Sequence, residues 1–488
     1  MAVAAMMILV AFAPAVRADE PPAPQVAAAM QSVLVDAIAR AERSVVAIAR
    51  VRKEPPGDSL RTEFRPDPFG RRAIPSNPPQ PTDPNFIPNE YGTGVILDRR
   101  GLVLTAYHVL GDESEYYVTT SERRVFKASV RAADPRSDLA VLSLDGPETA
   151  SASLTPIAFG DATTVRKGQI VVTLGNPYAI ARDGQTSAGW GIVSNLARKA
   201  PPMPEDSEPT GRRTLHHFGT LIQTDAKLNL GTSGGPLLNL RGEMIGLCVA
   251  LAAVPGYESA AGYAIPIDPT FRRVIEVLKE GREVEYGFLG VLPLNLQPQE
   301  VLGGVHGTRV GRVPQGTPAA RYGLRPDDVI TAVGDTRVYD ADGLVLEVGR
   351  LPLEAVTRLT VLRGGQERTL EVKLSKYPVR GKKIVTVRPD AWRGLRIDYP
   401  SGFVDAERPA MGSLLSVDDA VVVTEVEPGT PAAQAGVKRG MLIRRVDDQP
   451  VRTPKEFHLT TAGKRSAVRI QLALAEAGGA VLVVPPAP

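Results

Sequence analysis

The stretch Gly231-Thr-Ser-Gly-Gly-Pro-Leu sets Ser233 among glycines. A serine in a tight glycine-rich turn can present its hydroxyl outward. The neighbouring backbone N–H groups, with no Cβ in the way, can then converge on one small hole. Acyl transfer needs this arrangement, because its tetrahedral intermediate carries an oxyanion and losing one preorganised donor costs about 10²–10³ in rate. Such a hydroxyl also needs a base, and the chain has five histidines. His108 ends the apolar run Leu102-Val-Leu-Thr-Ala-Tyr-His, and Asp138 opens the run Asp138-Leu-Ala-Val-Leu. Singly, His108 would pass as a core histidine, Asp138 as a strand-end aspartate and the glycines as a plain β-turn. Together they supply base, orienting acid and nucleophile for peptide-bond chemistry.

The same serine satisfies Gly-x-Ser-x-Gly, the nucleophile turn of α/β-hydrolases. That fold requires a strand-turn-helix setting and the order Ser, acid, His. Here the flanks read as loop and strand. Only His306, in a glycine-rich turn, and His458, in a predicted helix, follow Ser233. The order His, Asp, Ser is that of the chymotrypsin-like template. Other reactive side chains offer less. Cys248, the one cysteine, lies in Met244-Ile-Gly-Leu-Cys-Val-Ala-Leu and reads as a buried strand residue. A single cysteine leaves no intrachain disulfide and no cysteine metal cluster. His216-His217 have no further ligands nearby, so they are expected as a solvated loop pair and no metal is expected. No phosphate-binding glycine loop stands in context, and no cofactor is expected.

The elements that must position these groups read as strands. From Gly92 onward, short apolar runs such as Gly94-Val-Ile-Leu, Leu102-Val-Leu, Leu139-Ala-Val-Leu and Ile170-Val-Val-Thr-Leu are separated by Gly and Asp, the rhythm of a β-barrel or sandwich. Before them, 26–41 has helical spacing, 44–51 reads as a strand and 52–90 as a long surface loop rich in Pro, Asp and Arg. Residues 200–214 form a second polar insertion. Asp268 and Pro269 are expected to cap and open a helix that runs to about Glu280 and stops at Gly281. A duplicated segment follows: Val313-Pro-Gln-Gly-Thr-Pro-Ala-Ala-Arg-Tyr-Gly-Leu matches Val426-Glu-Pro-Gly-Thr-Pro-Ala-Ala-Gln-Ala-Gly-Val. Each copy has a predicted Thr N-cap (Thr317, Thr430), a Pro at the first helical position, a stopping Gly (Gly323, Gly436) and then a strand. Two widely spaced copies mean a duplicated domain, not a solenoid.

The bulk numbers fit several domains. A chain of 488 residues with 43% hydrophobic content suits about three or four domains with real cores. A formal charge of +3, from 57 basic and 54 acidic residues, offers no case for nucleic acid. Residues 1–15 are almost wholly apolar and Val16-Arg17-Ala18 ends in a small residue, so 1–18 is expected to be a signal peptide. The expected location is periplasmic or otherwise extracytoplasmic. With no Lys or Arg ahead of the apolar run, an uncleaved membrane anchor is the alternative.

Over nearly all of its length after the signal the chain resembles the HtrA/Deg family of serine proteases. The resemblance is carried by Gly92-Thr-Gly-Val-Ile-Leu, Leu104-Thr-Ala-Tyr-His-Val, Asp138-Leu-Ala-Val-Leu, Leu174-Gly-Asn-Pro, Gly191-Ile-Val-Ser, Ile222-Gln-Thr-Asp-Ala, Gly231-Thr-Ser-Gly-Gly-Pro-Leu-Leu-Asn, Gly242-Glu-Met-Ile-Gly and Gly262-Tyr-Ala-Ile-Pro, in that order. It implies a mainly β chain: a chymotrypsin-like double six-stranded β-barrel protease domain followed by two PDZ domains. The implied layout is an N-terminal helical segment at 19–42, the protease domain at 43–282, a first PDZ domain at 285–376, a linker at 377–391 and a second PDZ domain at 392–485. It further implies His108, Asp138 and Ser233 as the catalytic triad, with an oxyanion hole from the N–H groups of Gly231 and Ser233. Leu228 would line a specificity pocket for small aliphatic side chains. Phe288, Leu289, Gly290 and Val291 would form the carboxylate-gripping loop of the first PDZ domain, and Gly394-Leu-Arg-Ile its less apolar counterpart in the second. Thr232 stands where the family usually has Asn, and Leu230 where it commonly has Pro.

The implied function is extracytoplasmic endoproteolysis of unfolded or damaged proteins, with the PDZ domains binding substrate or activating C-terminal peptides. The implied partners are those unfolded proteins and C-terminal peptides, no nucleic acid, and further copies of the chain in a trimer-based homo-oligomer. The stretch 197–219 is the family's sensor loop, so peptide at the first PDZ domain is expected to reorder it and complete the oxyanion hole. The alternative is a chaperone or peptide-binding scaffold whose protease domain is dormant.

Overall fold

The structure is a computed structural model that describes residues 23–53, 90–149, 153–176, 184–200, 214–249, 262–403, 420–473 and 480–487. The expected signal at 1–18 and most of the two polar insertions lie outside these residues. A 19-residue helix, α1 (Ala23–Ala41), leads into the first barrel. Its strands are β1 (Val45–Arg52), β2 (Glu90–Ile96), β3 (Leu102–Ala106), β4 (Ser114–Thr120), β5 (Val125–Asp134) and β6 (Leu139–Leu144). They run in the order β5-β4-β1-β2-β3-β6, and β5 pairs with β6 to close the ring. The second barrel is built from β7 (Ile170–Gly175), β8 (Ser187–Arg198), β9 (Leu221–Thr224), β10 (Pro236–Leu238), β11 (Met244–Val249) and β12 (Gly262–Pro266), closed in the order β10-β11-β12-β9-β8-β7. Val, Ile and Leu of the strands fill both interiors, with Val95, Leu104, Val141 and Leu142 fully buried in the first and Val171, Ile222, Leu237 and Cys248 buried in the second.

Helix α2 (Pro269–Lys279) follows the barrels. As the sequence indicates, the Asp268 carboxylate accepts from the Phe271 N–H at 3.0 Å, Pro269 opens the helix, and the chain leaves it at Gly281. Phe271, Val274, Ile275 and Leu278 form its buried face, the i, i+3, i+4, i+7 stripe of an amphipathic helix.

The duplicated segment folds into two similar sheets. The first runs Leu292–Asn295, Thr308–Arg312, Val329–Val333, Val356–Arg363, Gln366–Lys373 in space, and the second Leu395–Asp398, Val421–Val426, Leu442–Val446, Val468–Leu472, Val481–Val484. The helices Ala341–Arg350 and Pro454–Thr461 belong to the first and second copies. The repeated Thr-Pro motif opens a short helix in both copies, but the caps differ. Thr317 Oγ1 accepts from the Ala320 N–H at 3.2 Å, whereas Thr430 makes no side-chain cap bond. Both hydroxyls donate to the carbonyl three residues back, Thr317 to Pro314 at 2.8 Å and Thr430 to Glu427 at 2.6 Å.

The stretch 377–391, read from sequence as a linker, is packed onto the first barrel. Its Ile384–Val385 strand pairs antiparallel with β5, Ile384 opposite Ala133 and Val385 opposite Ala132, so that sheet has seven strands. Tyr286 and Val379 belong to the protease core, with Tyr377 packed against it. The Tyr286 hydroxyl donates to Asp134 Oδ2 at 2.5 Å, alongside the Ser137 N–H (2.9 Å) and hydroxyl (2.6 Å). The buried Arg136 guanidinium lies over the Tyr377 ring, 3.5 Å from its centroid. Lys376, 3% exposed, pairs with Glu283 and Glu285 at 3.1 Å each and with Asp398 of the second copy at 2.7 Å. Losing one partner of a buried, hydrogen-bonded carboxyl costs about 1–3 kcal/mol. Tyr286→Phe is therefore expected to lower the unfolding free energy of the barrels by about that amount, read as an earlier midpoint in urea, with no effect on the two repeat sheets.

Candidate active site

Three chain segments meet in the cleft between the barrels. β3 runs into the tight turn Tyr107–Val109, which puts His108 at its middle. Asp138 stands immediately before β6 with φ +55°, a left-handed conformation that costs an L-residue roughly 1–2 kcal/mol. The Tyr107 N–H donates to the Asp138 carbonyl at 2.9 Å, tying the two turns together. Ser233 precedes β10. His108 Nδ1 lies 2.8 Å from Asp138 Oδ2, and its Nε2 lies 3.0 Å from Ser233 Oγ. The His108 backbone N–H also donates to Asp138 Oδ1 at 3.1 Å. Since a carboxylate only accepts, Nδ1 holds the proton and Nε2 faces the serine hydroxyl as an acceptor. Burial alone would push the imidazole pKa down, but the adjacent Asp138 charge outweighs it and holds it above the usual histidine value. Burial would likewise raise the Asp138 carboxyl, and the His108 ring and backbone N–H bring it below the usual carboxylate range.

The Ser233 turn is clamped by Thr93 of β2, a fully buried residue. Its hydroxyl donates to the Gly231 carbonyl at 2.6 Å and accepts from the Asn176 N–H at 2.9 Å. Its backbone N–H donates to the Ser233 carbonyl at 2.9 Å, and its carbonyl accepts from the Thr105 hydroxyl at 2.8 Å. Gly231 (φ +94°) and Gly234 (φ +88°) both need the left-handed region. A Cβ on Gly231 would fall 2.3 Å from the Asn176 carbonyl oxygen, and one on Gly234 would fall 2.0 Å from the Thr93 carbonyl oxygen. The glycine pattern therefore answers to contact across the barrels as well as to turn geometry.

The remaining residues singled out by sequence fall in three places. Leu228 is half-buried against the second-barrel core, beside Gly262. Leu230, by contrast, is 61% exposed next to the serine turn. Phe288, Leu289, Gly290 and Val291 lie in the first repeat, just ahead of the edge strand Leu292–Asn295. There Phe288 pairs with Ser375, Leu289 is buried and its carbonyl accepts from the Ala319 N–H at 2.9 Å, and Gly290 (φ +79°) packs under Thr317. Cys248 is buried, and burial pushes its thiol up to about 12, so it is not a thiolate nucleophile at neutral pH.

One expectation is overturned. His216 and His217 are buried, at 3% and 4% exposure, rather than solvated. They sit in the turn Leu215–Phe218, where His217 completes a capping box with Thr214 and His216 reaches the Ser137 carbonyl. The turn packs on the Ala341–Arg350 helix of the first repeat, which removes it from water. Among the described residues no group of three or more His, Cys, Asp or Glu is arranged to hold a metal ion. The sequence also gave no signal for Thr93, Asn176 or Thr105 as site residues. Only the glycines around Thr93 hint at close backbone approach.

The clamp predicts a contrast. Thr93→Val leaves the Gly231 carbonyl and Asn176 N–H without their partner and is expected to lower kcat on a casein substrate at least tenfold, while Thr93→Ser, which keeps the hydroxyl, stays within a few-fold of the parent protein. Equal rates for the two variants would remove the hydroxyl from the account.

Comparison with known proteins agrees with this architecture. Residues 92–247 match the trypsin-like peptidase domain, and 287–374 and 422–459 each match a PDZ domain. The periplasmic serine endoprotease DegP of Salmonella typhimurium is 30% identical over 386 residues, spanning 78% of this chain and 74% of the relative. A probable periplasmic DegP-like serine endoprotease of Brucella suis is 32% identical over 429 residues, spanning 86% of this chain and 76% of the relative. Among solved structures, the HtrA-type protease AlgW with a decapeptide superposes with a TM-score of 0.51 at 28% identity, over 70% of this chain and 98% of that one. AlgW with a tripeptide gives 0.52 at 26% identity, over 70% and 97%. A closed double barrel with a His–Asp–Ser cleft, two PDZ sheets and relatives of this similarity lead to one conclusion: the chain belongs to the HtrA/Deg family and is a serine endopeptidase, a trypsin-like peptidase domain followed by two PDZ domains.

Proposed function

We propose that Ser233 attacks the scissile carbonyl, that His108 takes its proton and later delivers it to the leaving amine, and that Asp138 holds the imidazole tautomer and stabilises the imidazolium. The observation that carries this reading is the bridging imidazole of His108, 2.8 Å from Asp138 on one side and 3.0 Å from Ser233 on the other. The N–H groups of Gly231 and Ser233 form the oxyanion hole, with the Thr93 hydroxyl anchoring the Gly231 carbonyl that precedes it. Leu228 lines the specificity pocket and favours small aliphatic side chains at the cleaved bond.

The substrates are unfolded or damaged exported proteins, and the first PDZ domain docks C-terminal peptides. Its edge strand Leu292–Asn295 supports this, since Leu292 and Leu294 are 51% and 44% exposed at an unpaired sheet edge where a peptide can add a strand. The neighbouring structures solved with peptides support it as well. Periplasmic relatives support an extracytoplasmic location. Residues 1–18 act as the export signal, and the working form is a trimer-based homo-oligomer. In the second PDZ domain Asp398, at the end of the edge strand, is tied to Lys376, which favours a packing role there.

Peptide at the first PDZ domain acts on the sensor loop. Its flanks reach that domain already: Lys199 pairs with Asp342 at 2.6 Å, and Leu215 packs beside Gly349. Removing everything from Tyr286 onward would also strip Tyr286, Tyr377, Val379 and the Ile384–Val385 strand from the peptidase core. The cleaner change replaces 289–374 with a two-residue Asn-Gly turn between Phe288 and Ser375, which are already paired. That protein is expected to remain folded and to lose activation by C-terminal peptides; undiminished activation would refute the route.

Ser233→Ala is expected to lower degradation of an unfolded protein by about 10³-fold or more, and equal proteolysis would refute the assignment. The base must be neutral to act, and the Asp138 charge raises its pKa. The acid limb of kcat/KM should therefore fall at a pH above the ordinary histidine value of about 6.5, and Asp138→Asn should shift that limb downward as well as slow the reaction.

A further inference from the structure

Asp138 is an unusual place to put an aspartate. Its φ of +55° suits glycine, and such a conformation persists only where its surroundings over-determine it. Three anchors are visible around it. The Tyr107 N–H holds its carbonyl at 2.9 Å, and His108 holds its carboxylate from ring and backbone. The third anchor acts on the preceding peptide plane, whose rotation about the Asp138 N–Cα bond is φ itself. The Ser137 carbonyl lies 2.8 Å from His216 Nε2.

We propose that His216 is a positioning residue for the peptidase reaction: its Nε2–H pins the Ser137 carbonyl, which locks Asp138 in the left-handed conformation from which its carboxylate meets His108. The inference rests on the reading of His108, Asp138 and Ser233 as the triad.

The hydrogen-bond chemistry around His216 allows one arrangement. A carbonyl only accepts, so Nε2 carries the proton. Nδ1 is then the acceptor, and the Thr220 hydroxyl donates to it at 2.6 Å. The ring stacks on Phe271 of α2, centroids 5.6 Å apart and planes 25° apart, so it cannot swing away from the carbonyl without leaving that face. Burial, opposed by the Asp138 charge and the Ser137 carbonyl bond and assisted by the His217 and His108 rings, brings the imidazole down to about 4, which keeps it a neutral single-proton tautomer at working pH. The backbone carrying the ring is itself fixed: the Leu215 N–H donates to the Arg136 carbonyl at 2.9 Å, and the His216 carbonyl accepts from the Ala200 N–H at 2.9 Å. Ser137 is thus held at its amide and hydroxyl by Asp134 and at its carbonyl by His216. Without the last of these, the peptide can rotate toward an ordinary negative φ, and the carboxylate moves away from Nδ1.

The test uses the full chain with labelled casein as substrate, and a fluorophosphonate to measure the reactivity of Ser233. His216→Phe keeps the ring volume and the stack but removes the donor. It is expected to lower kcat about 10–100-fold with KM within about twofold, since a displacement near 1 Å costs about 10²-fold. His216→Gln places an amide N–H where Nε2 was and is expected to recover kcat to within a few-fold of the parent. Fluorophosphonate labelling should follow kcat. Wild-type kcat in His216→Phe, or equal losses in the Phe and Gln variants, would overturn the role. Should His216→Phe fail to fold, Thr220→Val decides: it frees Nδ1, so kcat is expected to fall a few-fold at constant KM, and an unchanged kcat overturns the proposal. Ser233→Ala separates the two readings: if it still cleaves casein, the triad assignment fails, whatever His216 does.

Discussion

Ser233 and His108 come from different barrels, and that division governs the rest of the structure. His108 and Asp138 hang from β3 and the turn before β6, whereas Ser233 precedes β10. A proton-transfer distance of 3.0 Å therefore depends on how the two barrels meet. Apolar residues of both barrels share one core across the seam, but such packing is non-directional and tolerates sliding. The seam is fixed by directional bonds at one buried threonine. Thr93 engages Gly231 and Ser233 of the serine turn and Asn176 after β7, while its own carbonyl is held by Thr105 of β3. The glycines at 231 and 234 let the turn come close enough for those bonds to form.

A second layer ties the Asp138 loop to the rest of the chain. Asp134, Arg136, Ser137 and Asp138 are nearly consecutive, and each faces a different partner: Tyr286, Tyr377, His216 and His108 in turn. Tyr286 and Tyr377 flank the first PDZ domain, and His216 sits in the turn that packs on that domain's Ala341–Arg350 helix. The Asp134–Asp138 segment is therefore a place where the peptidase core meets the residues that flank or pack on the first PDZ domain.

The sequence made legible what chemistry and local geometry demand of residue types. Ser233 in its glycine frame, His108 and Asp138 at the ends of apolar runs, the Asp268–Pro269 helix start and the repeated Thr-Pro motif all stand where the reading put them. The strands of both barrels could be read because their alternation and turn residues are local. What stayed hidden depends on distant partners. Thr93 meets Gly231 across 138 residues, His216 meets Ser137 across 79, and Tyr286 meets Asp134 across 152. Thr430 shows a subtler limit. Its surroundings repeat those of Thr317, yet its hydroxyl turns wholly to a carbonyl, so the motif predicted the helix start and not the bond. His216 was misread because a polar insertion suggests solvent, whereas its ring stacks on Phe271 of α2, far downstream in the chain.

The Ile384–Val385 strand has a consequence for biogenesis. The chain leaves the barrels after α2, builds an entire PDZ domain, and only then returns to lay its last strand on β5. That strand lies roughly a hundred residues downstream of Glu285. A chain made from its N-terminus folds in units as they emerge. The peptidase fold of this protein therefore stays unfinished, with Arg136 lacking its Tyr377 partner and one sheet edge open, until the first PDZ domain has been synthesised. The order of the elements in the chain thus delays a completed peptidase fold until the first PDZ domain is already in place.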